Sequence, residues 1–381
     1  MSDTQTAAPF DVRERLVDLI GSGTTDMAAS TLQVPLDHYR DPVRHQLEID
    51  KLFRGSPLLA APTAAIPNPG DFTVRDVLDR SLLITRSENG EANVVLNYCT
   101  HRGALVAEGE GCTRRHRCPY HAWSFDPAGT LVGMPGAEGF DDLDRNDAGM
   151  VRLPTVEAHG FIWYTLDPNG SVDIEADLGS FGAELARWGY ESFWKVTTMD
   201  LEIDANWKTT TEAFAETYHF PYVHGAGIGN GVITNTATFD VFDGSHRLGV
   251  PLVGMRDHVE NDAEFDPDWH TSLLYWKCPD LMLANTPFGV EVIQISPTLE
   301  VGRSRLRHTM LAKSPPTTDE EREVAEAMSS PAADAIRLED VPTLTTCGRG
   351  LAEGEHGHAT IGKNEPGVQN VHNTINNRLN E

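Results

Sequence analysis

Basic residues are scarce in this chain of 381 residues: 30 Lys and Arg stand against 57 Asp and Glu, a formal charge of −27. Phosphate backbones are bound by clustered Lys and Arg, so this balance excludes a nucleic-acid binder. It works equally against docking on an anionic membrane surface. Long apolar runs are also missing; none approaches the roughly 18 residues that a membrane helix needs. The chain opens Met1-Ser2-Asp3 without a basic segment followed by an apolar one, so no signal peptide is expected. Cysteine is sparse and odd in number, at 99, 112, 118, 278 and 347. That argues against a disulfide framework and makes a reducing cytoplasm the expected compartment. There is no internal repeat and no low-complexity tract. What is present is the mix of a soluble globular protein, 40 % hydrophobic and 23 % charged, with length for two or so domains.

Val12, Leu16, Leu19 and Ile20 have helical spacing, with Gly21 and Gly23 as the stop. Residues 55–70 are rich in Pro, Ala and Gly and are expected to be a loop. From about 71 to 165, short apolar runs such as 81–85, 92–96 and 160–164 alternate with Gly, Asn, Asp and Pro turns, an all-β signature. After about 166 the pattern is mixed: helix is expected over 207–220, strands within 232–311, including 290–295 and 305–311, and helix over 318–341, interrupted near Pro331. The expected fold class is α+β, a small β domain followed by an α+β domain.

Two constellations carry chemistry. In the β part, Cys99-Thr100-His101 is followed sixteen residues later by Cys118-Pro119-Tyr120-His121 and then Ala122-Trp123. A structural zinc site also uses two Cys and two His, but a usual zinc finger pairs Cys with Cys and His with His along the chain. Here each loop offers one of each. A two-iron cluster of the Rieske kind needs two thiolates on one iron and two imidazoles on the other, and two such loops clamping it supply that set. Such a cluster passes single electrons and does not itself activate substrate.

The second constellation is the run 206–224, from Asn206-Trp207-Lys208 to His219 and His224. Five residues subtend about 500° on a straight helix, so the two rings would diverge by roughly 140°. Pro221 lies between them and is expected to kink or end the helix, which could bring both rings to one point. Two histidines and a later carboxylate form the facial triad of non-haem Fe(II) oxygenases, with positions left open for dioxygen.

Together the motifs Cys-x-His-x16-Cys-x2-His, Asn-Trp-Lys and Glu-x3-Glu-x2-His-x4-His resemble the Rieske non-haem iron oxygenases, specifically the catalytic α subunits of the aromatic ring-hydroxylating family. The resemblance covers nearly the whole chain. It implies an N-terminal helical segment over 1–45 packed on the catalytic domain, an all-β Rieske [2Fe-2S] domain over 46–165, and a catalytic domain over 166–381. The catalytic domain is implied to have a helix-grip fold, similar to START and Bet v 1 proteins, with a curved antiparallel sheet around a long helix. Cys99, His101, Cys118 and His121 are implied to hold the [2Fe-2S] cluster, and His219 and His224 a mononuclear Fe(II). The third iron ligand is implied to be Asp340, with Glu339 as the fallback and Asp334 and Asp280 less favoured. Where relatives often continue Val-Gln-x-Gly-Leu, this chain has Cys347-Gly348-Arg349-Gly350-Leu351.

The resemblance also implies that Glu216 bridges subunits, carrying electrons from His121 of one chain to His219 of the next. Most relatives carry Asp there, one methylene shorter; branches acting on quaternary amines resemble this chain in carrying Glu. Ala213 stands where many relatives carry Asn. The implied assembly is a head-to-tail homotrimer served by an NAD(P)H-dependent reductase or a ferredoxin. Phe214, Phe220, Leu283, Phe288 and Val290 are candidates for the pocket wall. The expected substrate is a small aromatic or alicyclic compound, with dioxygen as co-substrate. The alternative is a Rieske monooxygenase that hydroxylates or N-demethylates a quaternary amine, caged by Tyr275 and Trp276. The alternative from another class is a zinc-stabilised binding module without a redox role.

The charge is not evenly spread: residues 151–300 hold 23 acidic and 7 basic side chains, whereas 51–121 hold 7 acidic and 9 basic. Arg114, Arg115 and Arg117 stand immediately before Cys118 and are candidates for a docking patch for an acidic electron donor.

Overall fold

The computed structural model describes residues 11–261, 264, 266 and 270–380. The first ten residues of the expected N-terminal segment lie outside that set. The chain forms two units: Phe53–Asp177 with Trp188–Ser192, and the described parts of Met1–Leu52, Leu178–Arg187 and Phe193–Glu381. Among the described residues, no helix is long and apolar enough to cross a membrane.

The first unit is all-β. One antiparallel sheet runs Arg152–Leu153, Ala92–Leu96, Arg80–Arg86, Asp71–Val77, Glu110–Cys112. A second runs Thr155–Ala158, Phe161–Tyr164, Leu58–Pro62, and a third His116–Arg117, Ser124–Phe125, Leu131–Gly133. Residues 58–62 therefore form a strand where a loop is expected from the composition. The run Leu58-Leu59-Ala60-Ala61 is wholly buried and pairs with Phe161–Tyr164. Prolines at 57 and 62 bracket it, where they need remove no ladder hydrogen bond, so a Pro-rich text conceals a core strand.

The second unit carries a seven-stranded antiparallel sheet in the order Trp194–Ile203, Ser304–Ala312, Gly289–Pro297, Leu281–Thr286, Thr271–Lys277, Ser245–Pro251, Thr238–Phe242. Helical structure continues without a break from Asp319 to Glu353. Thr318 caps its start by accepting from the Glu321 N–H at 3.1 Å. Pro331 does not interrupt it as expected; the ring is accommodated inside the helix, beside the cavity described below. The irregularity falls later, at Ile336–Asp340, which winds as a π turn. Such wider turns gather at functional sites. The N-terminal helix Asp11–Ser22 runs past Gly21 and buries Val12 and Leu16.

One buried carboxylate fixes where the helix Trp207–Ala213 begins. Glu48 is fully buried; it accepts from Trp207 Nε1 at 2.9 Å, from Arg44 Nε at 2.9 Å, and from Lys208 Nζ. Burial pushes the Lys208 amine below its usual range, and the Glu48 charge opposes that shift. Asn206 caps the helix by accepting from the Lys208 N–H at 2.9 Å, and donates Nδ2 to the Tyr39 carbonyl at 2.7 Å. Asn-Trp-Lys is thus a fastening of this helix to the preceding segment 37–48. Glu48→Gln leaves Lys208 buried without its anion and is expected to lower stability by about 3–5 kcal/mol in denaturant unfolding. Adding Lys208→Met should recover part of that loss, because the stranded charge goes with it.

Candidate metal centres

The two Cys–His loops of the first unit share one backbone design. Cys99 N–H donates to the Ala104 carbonyl at 2.9 Å and Cys118 N–H to the Trp123 carbonyl at 2.8 Å. Gly103 N–H returns to the Cys99 carbonyl at 2.8 Å, and Ala122 N–H to the Cys118 carbonyl at 3.1 Å. The fourth residue after each cysteine is left-handed, Gly103 at φ 76° and Ala122 at φ 59°. This repeat is faint in the text, because Ala122 stands where glycine would advertise the turn.

Both cysteines are buried in an apolar cluster with Trp123, Phe125 and Leu131. Burial pushes the Cys99 thiol up; the His101 backbone N–H opposes this and the neighbouring Cys118 adds to it. The His101 and His121 rings lie 4.5 Å apart, and Trp123 stacks on His101 at 5.0 Å. The Nδ1 atoms of both histidines are buried without a hydrogen-bond partner. Thiol sits beside thiol and imidazole beside imidazole, which is the pairing that a cluster with two sulfur and two nitrogen ligands requires. A single zinc ion would instead draw all four donors to within about 2.0–2.3 Å of one point. Among the described residues, the set of three His, Cys, Asp or Glu donors gathered within 4.8 Å of one another is His219, His224 and Asp340.

That set is assembled in the second unit. The helix Trp207–Ala213 ends at Phe214, well before Pro221, so the proline does not break it. Pro221 instead occupies the first turn of a new short helix, Phe220–Val223, where its missing N–H costs nothing. His219 precedes that helix and His224 follows it, and their rings come within 5.1 Å. Asp340, the last residue of the π turn, places Oδ1 3.1 Å from His224 Nε2 and 3.8 Å from His219 Nε2. Glu339 does not join the set. Its Oε2 accepts from His224 Nδ1 at 2.6 Å. Asp334 is held by Arg337 at 2.8 Å, and Asp280 is buried beside the strand Leu281–Thr286; neither is in the triad.

Glu216 does for His219 what Glu339 does for His224: Oε1 accepts from His219 Nδ1, and Oε2 accepts from the His219 backbone N–H at 3.1 Å. Each imidazole is therefore held through Nδ1 with Nε2 turned toward Asp340, and carboxylates placed behind metal-binding histidines orient them in this way. Burial lowers the His224 pKa, but the Asp340 and Glu339 carboxylates outweigh it and leave the pKa raised. A cation held by Asp340 would satisfy that carboxylate and favour the neutral, ligating ring.

The triad opens on a cavity of about 330 Å³. Phe214, Phe220, Leu283 and Phe288 line it as expected. Val290 does not; alternation along Gly289–Pro297 turns Glu291 and Ile293 to the cavity and buries Val290 on the other face. Tyr275 and Trp276 form no cage around it. Both are buried core residues outside the lining; Tyr275 Oη donates to Glu184 at 3.2 Å and Trp276 packs on His246. Glu291 was invisible to periodicity, since one carboxylate in a β-rich run reads as a solvent-facing position.

Residues 56–153 match the Rieske [2Fe-2S] domain, and residues 185–381 the catalytic domain of ring-hydroxylating alpha subunits. The chain belongs to the ring-hydroxylating alpha subunit family: it is the oxygenase component of a Rieske system, an oxidoreductase that incorporates dioxygen and uses a [2Fe-2S] cluster and a mononuclear iron. It is 33 % identical over 205 residues to the alpha subunit of N,N-dimethyl phenylurea N-demethylase from Sphingobium sp. strain YBL2, spanning 50 % of this chain and 43 % of that one. Over 355 residues it is 24 % identical to the carnitine monooxygenase oxygenase subunit of Escherichia coli K12, spanning 90 % and 92 %. Its fold matches that of the quaternary ammonium Rieske monooxygenase CntA in complex with L-carnitine, with a TM-score of 0.75, 20 % identity and coverage of 97 % and 98 %.

Asp340→Ala is expected to empty the mononuclear site while the visible absorption of the Rieske cluster persists. Glu339→Gln should keep iron but weaken its retention by roughly 10- to 100-fold. Iron analysis after graded chelation, read beside the absorption spectrum, checks both.

Proposed function

We propose that His219, His224 and Asp340 hold the mononuclear iron, that Cys99, His101, Cys118 and His121 hold the [2Fe-2S] cluster, and that the cavity admits a small aromatic or alicyclic substrate for hydroxylation. The observation that carries this is a three-ligand set with both imidazoles oriented by carboxylates, opening on an apolar chamber. Bound there, the two groups supply single electrons and dioxygen activation. The protein's own residues do the rest. Phe214, Phe220 and Leu283 orient an apolar ring and exclude water, and the triad leaves the remaining iron positions to ligands other than protein.

In this proposal residues 1–45 fasten the catalytic domain, 46–165 receive electrons, and 166–381 carry out the oxidation. Glu216 is the subunit bridge. Its Oε1 holds His219 from behind, and in a head-to-tail homotrimer a Rieske histidine of a neighbouring copy would approach the same carboxylate. A closed heterologous ring satisfies that contact in every copy. Electrons come from a reductase or a ferredoxin. Arg114, Arg115 and Arg117 are exposed, with Arg114 held by Glu88 at 2.8 Å, and they form the docking patch for an acidic donor. The cage that would favour a quaternary amine is absent at Tyr275 and Trp276.

Dioxygen-dependent NAD(P)H oxidation across a panel of aromatic compounds, with labelled dioxygen recovered in product, tests the reading; uncoupled oxidation without labelled product on every compound overturns it. Glu216→Gln should bind both metals and lower product formation by roughly 10- to 100-fold. Reduction of the cluster by its donor should slow as ionic strength rises, and Arg115→Glu with Arg117→Glu should slow it further at low salt. Stopped-flow bleaching of the visible band measures that rate.

A further inference from the structure

The ionisable side chains lining the cavity fall into two places. Glu216, His219, His224 and Asp340 form the metal end, and Glu291 stands apart from them on the sheet. No Lys or Arg is among the described lining residues. Glu291 is the third residue of the strand Gly289–Pro297, directly across from Ala284 and Met310 on the flanking strands. All three line the cavity, so the carboxylate belongs to the row of side chains that forms its wall. Its side chain is 15 % exposed.

One oxygen is occupied. Oε2 lies 3.0 Å from Nε2 of His308, whose side chain is 0 % exposed. The His308 Nδ1 is buried with no partner. This contact fixes one carboxylate oxygen against a buried ring and leaves the other directed to the chamber. Among the described residues, no hydrogen bond to Glu291 is made other than that of Oε2 with His308, so Oε1 is open to a ligand. A carboxylate left half-satisfied against an apolar chamber is costly unless a donor arrives with the ligand. A cationic N–H group satisfies both the empty acceptor and the uncompensated charge.

We propose that Glu291 is a specificity-determining residue that accepts the N–H of a protonated amine on an otherwise apolar substrate. The substrate class is thereby a small arylalkyl secondary or tertiary amine. This rests on the reading that the cavity holds the substrate, and the test separates the two claims. His308 positions the carboxylate, and Glu291→Gln keeps an oxygen acceptor for His308 while removing the charge.

The probes are N-methylbenzylamine, its neutral isostere benzyl methyl ether, and benzyltrimethylammonium, which has charge but no N–H. Each is titrated calorimetrically into the anaerobic, metal-loaded enzyme and into Glu291→Gln. The native enzyme should bind N-methylbenzylamine roughly 10- to 100-fold more tightly than the ether, the range of a charge-assisted hydrogen bond. Glu291→Gln should erase that preference while its affinity for the ether stays the same, which also reports an intact cavity. Equal binding of amine and ether by the native enzyme, or a preference that survives Glu291→Gln, overturns the assignment of Glu291 and leaves the cavity reading standing. Benzyltrimethylammonium binding as tightly as N-methylbenzylamine overturns the N–H contact. Failure of all three probes to bind the native enzyme overturns the cavity reading, and this proposal with it.

Discussion

A single buried anion, Glu48, governs how the catalytic unit is put together. Three donors converge on it, from Arg44, Trp207 and Lys208. Two of these are the first residues of the helix whose far end leads into Glu216 and His219. The segment before residue 50 is therefore bound to the start of that helix through electrostatics in a dry interior, where an unpaired partner is costly. Tyr39 extends the connection. Its hydroxyl donates to Glu212 at 2.9 Å, and Glu212 also meets His372 of the C-terminal helix Pro366–Asn380 at 2.9 Å. That helix comes so close that a Cβ on Gly367 would lie 2.2 Å from the Ala215 carbonyl. The short loop before the histidines is thus held from both ends of the chain.

Against that frame the metal site is built by paired use of carboxylates. Glu216 and Glu339 take the Nδ1 sides of the two rings, leaving both Nε2 atoms toward Asp340. The Rieske loops solve the equivalent problem with backbone groups: each cysteine is anchored by its own N–H and carbonyl, and the imidazoles are left with bare Nδ1 atoms.

Much of this was legible in the sequence. The paired Cys–His loops, His219 and His224 stand out because ligand chemistry restricts residue type and spacing at once, whereas Asp340 was implied by the family resemblance alone, with Glu339 as the fallback. The strands 81–85, 92–96 and 160–164 were readable because their apolar runs are short and bounded by turn residues. Three features were not. The strand Leu58–Pro62 was hidden by flanking prolines that also signal loops. Pro221 looked like a helix breaker, yet it starts a helix, since the same missing N–H is harmless in a first turn. Tyr275 and Trp276 looked available to a ligand, but whether an aromatic side chain meets a cavity or the core depends on strand register, which tertiary pairing sets.

The π turn at Ile336–Asp340 delivers two consecutive residues to opposite nitrogens of one ring, Glu339 to Nδ1 and Asp340 to Nε2 of His224. The imidazole is held at both ring nitrogens and cannot turn without leaving both contacts. Preorganisation of this kind removes the ordering cost from metal capture. The geometry of this ring is therefore set by two carboxylates of the same helical turn.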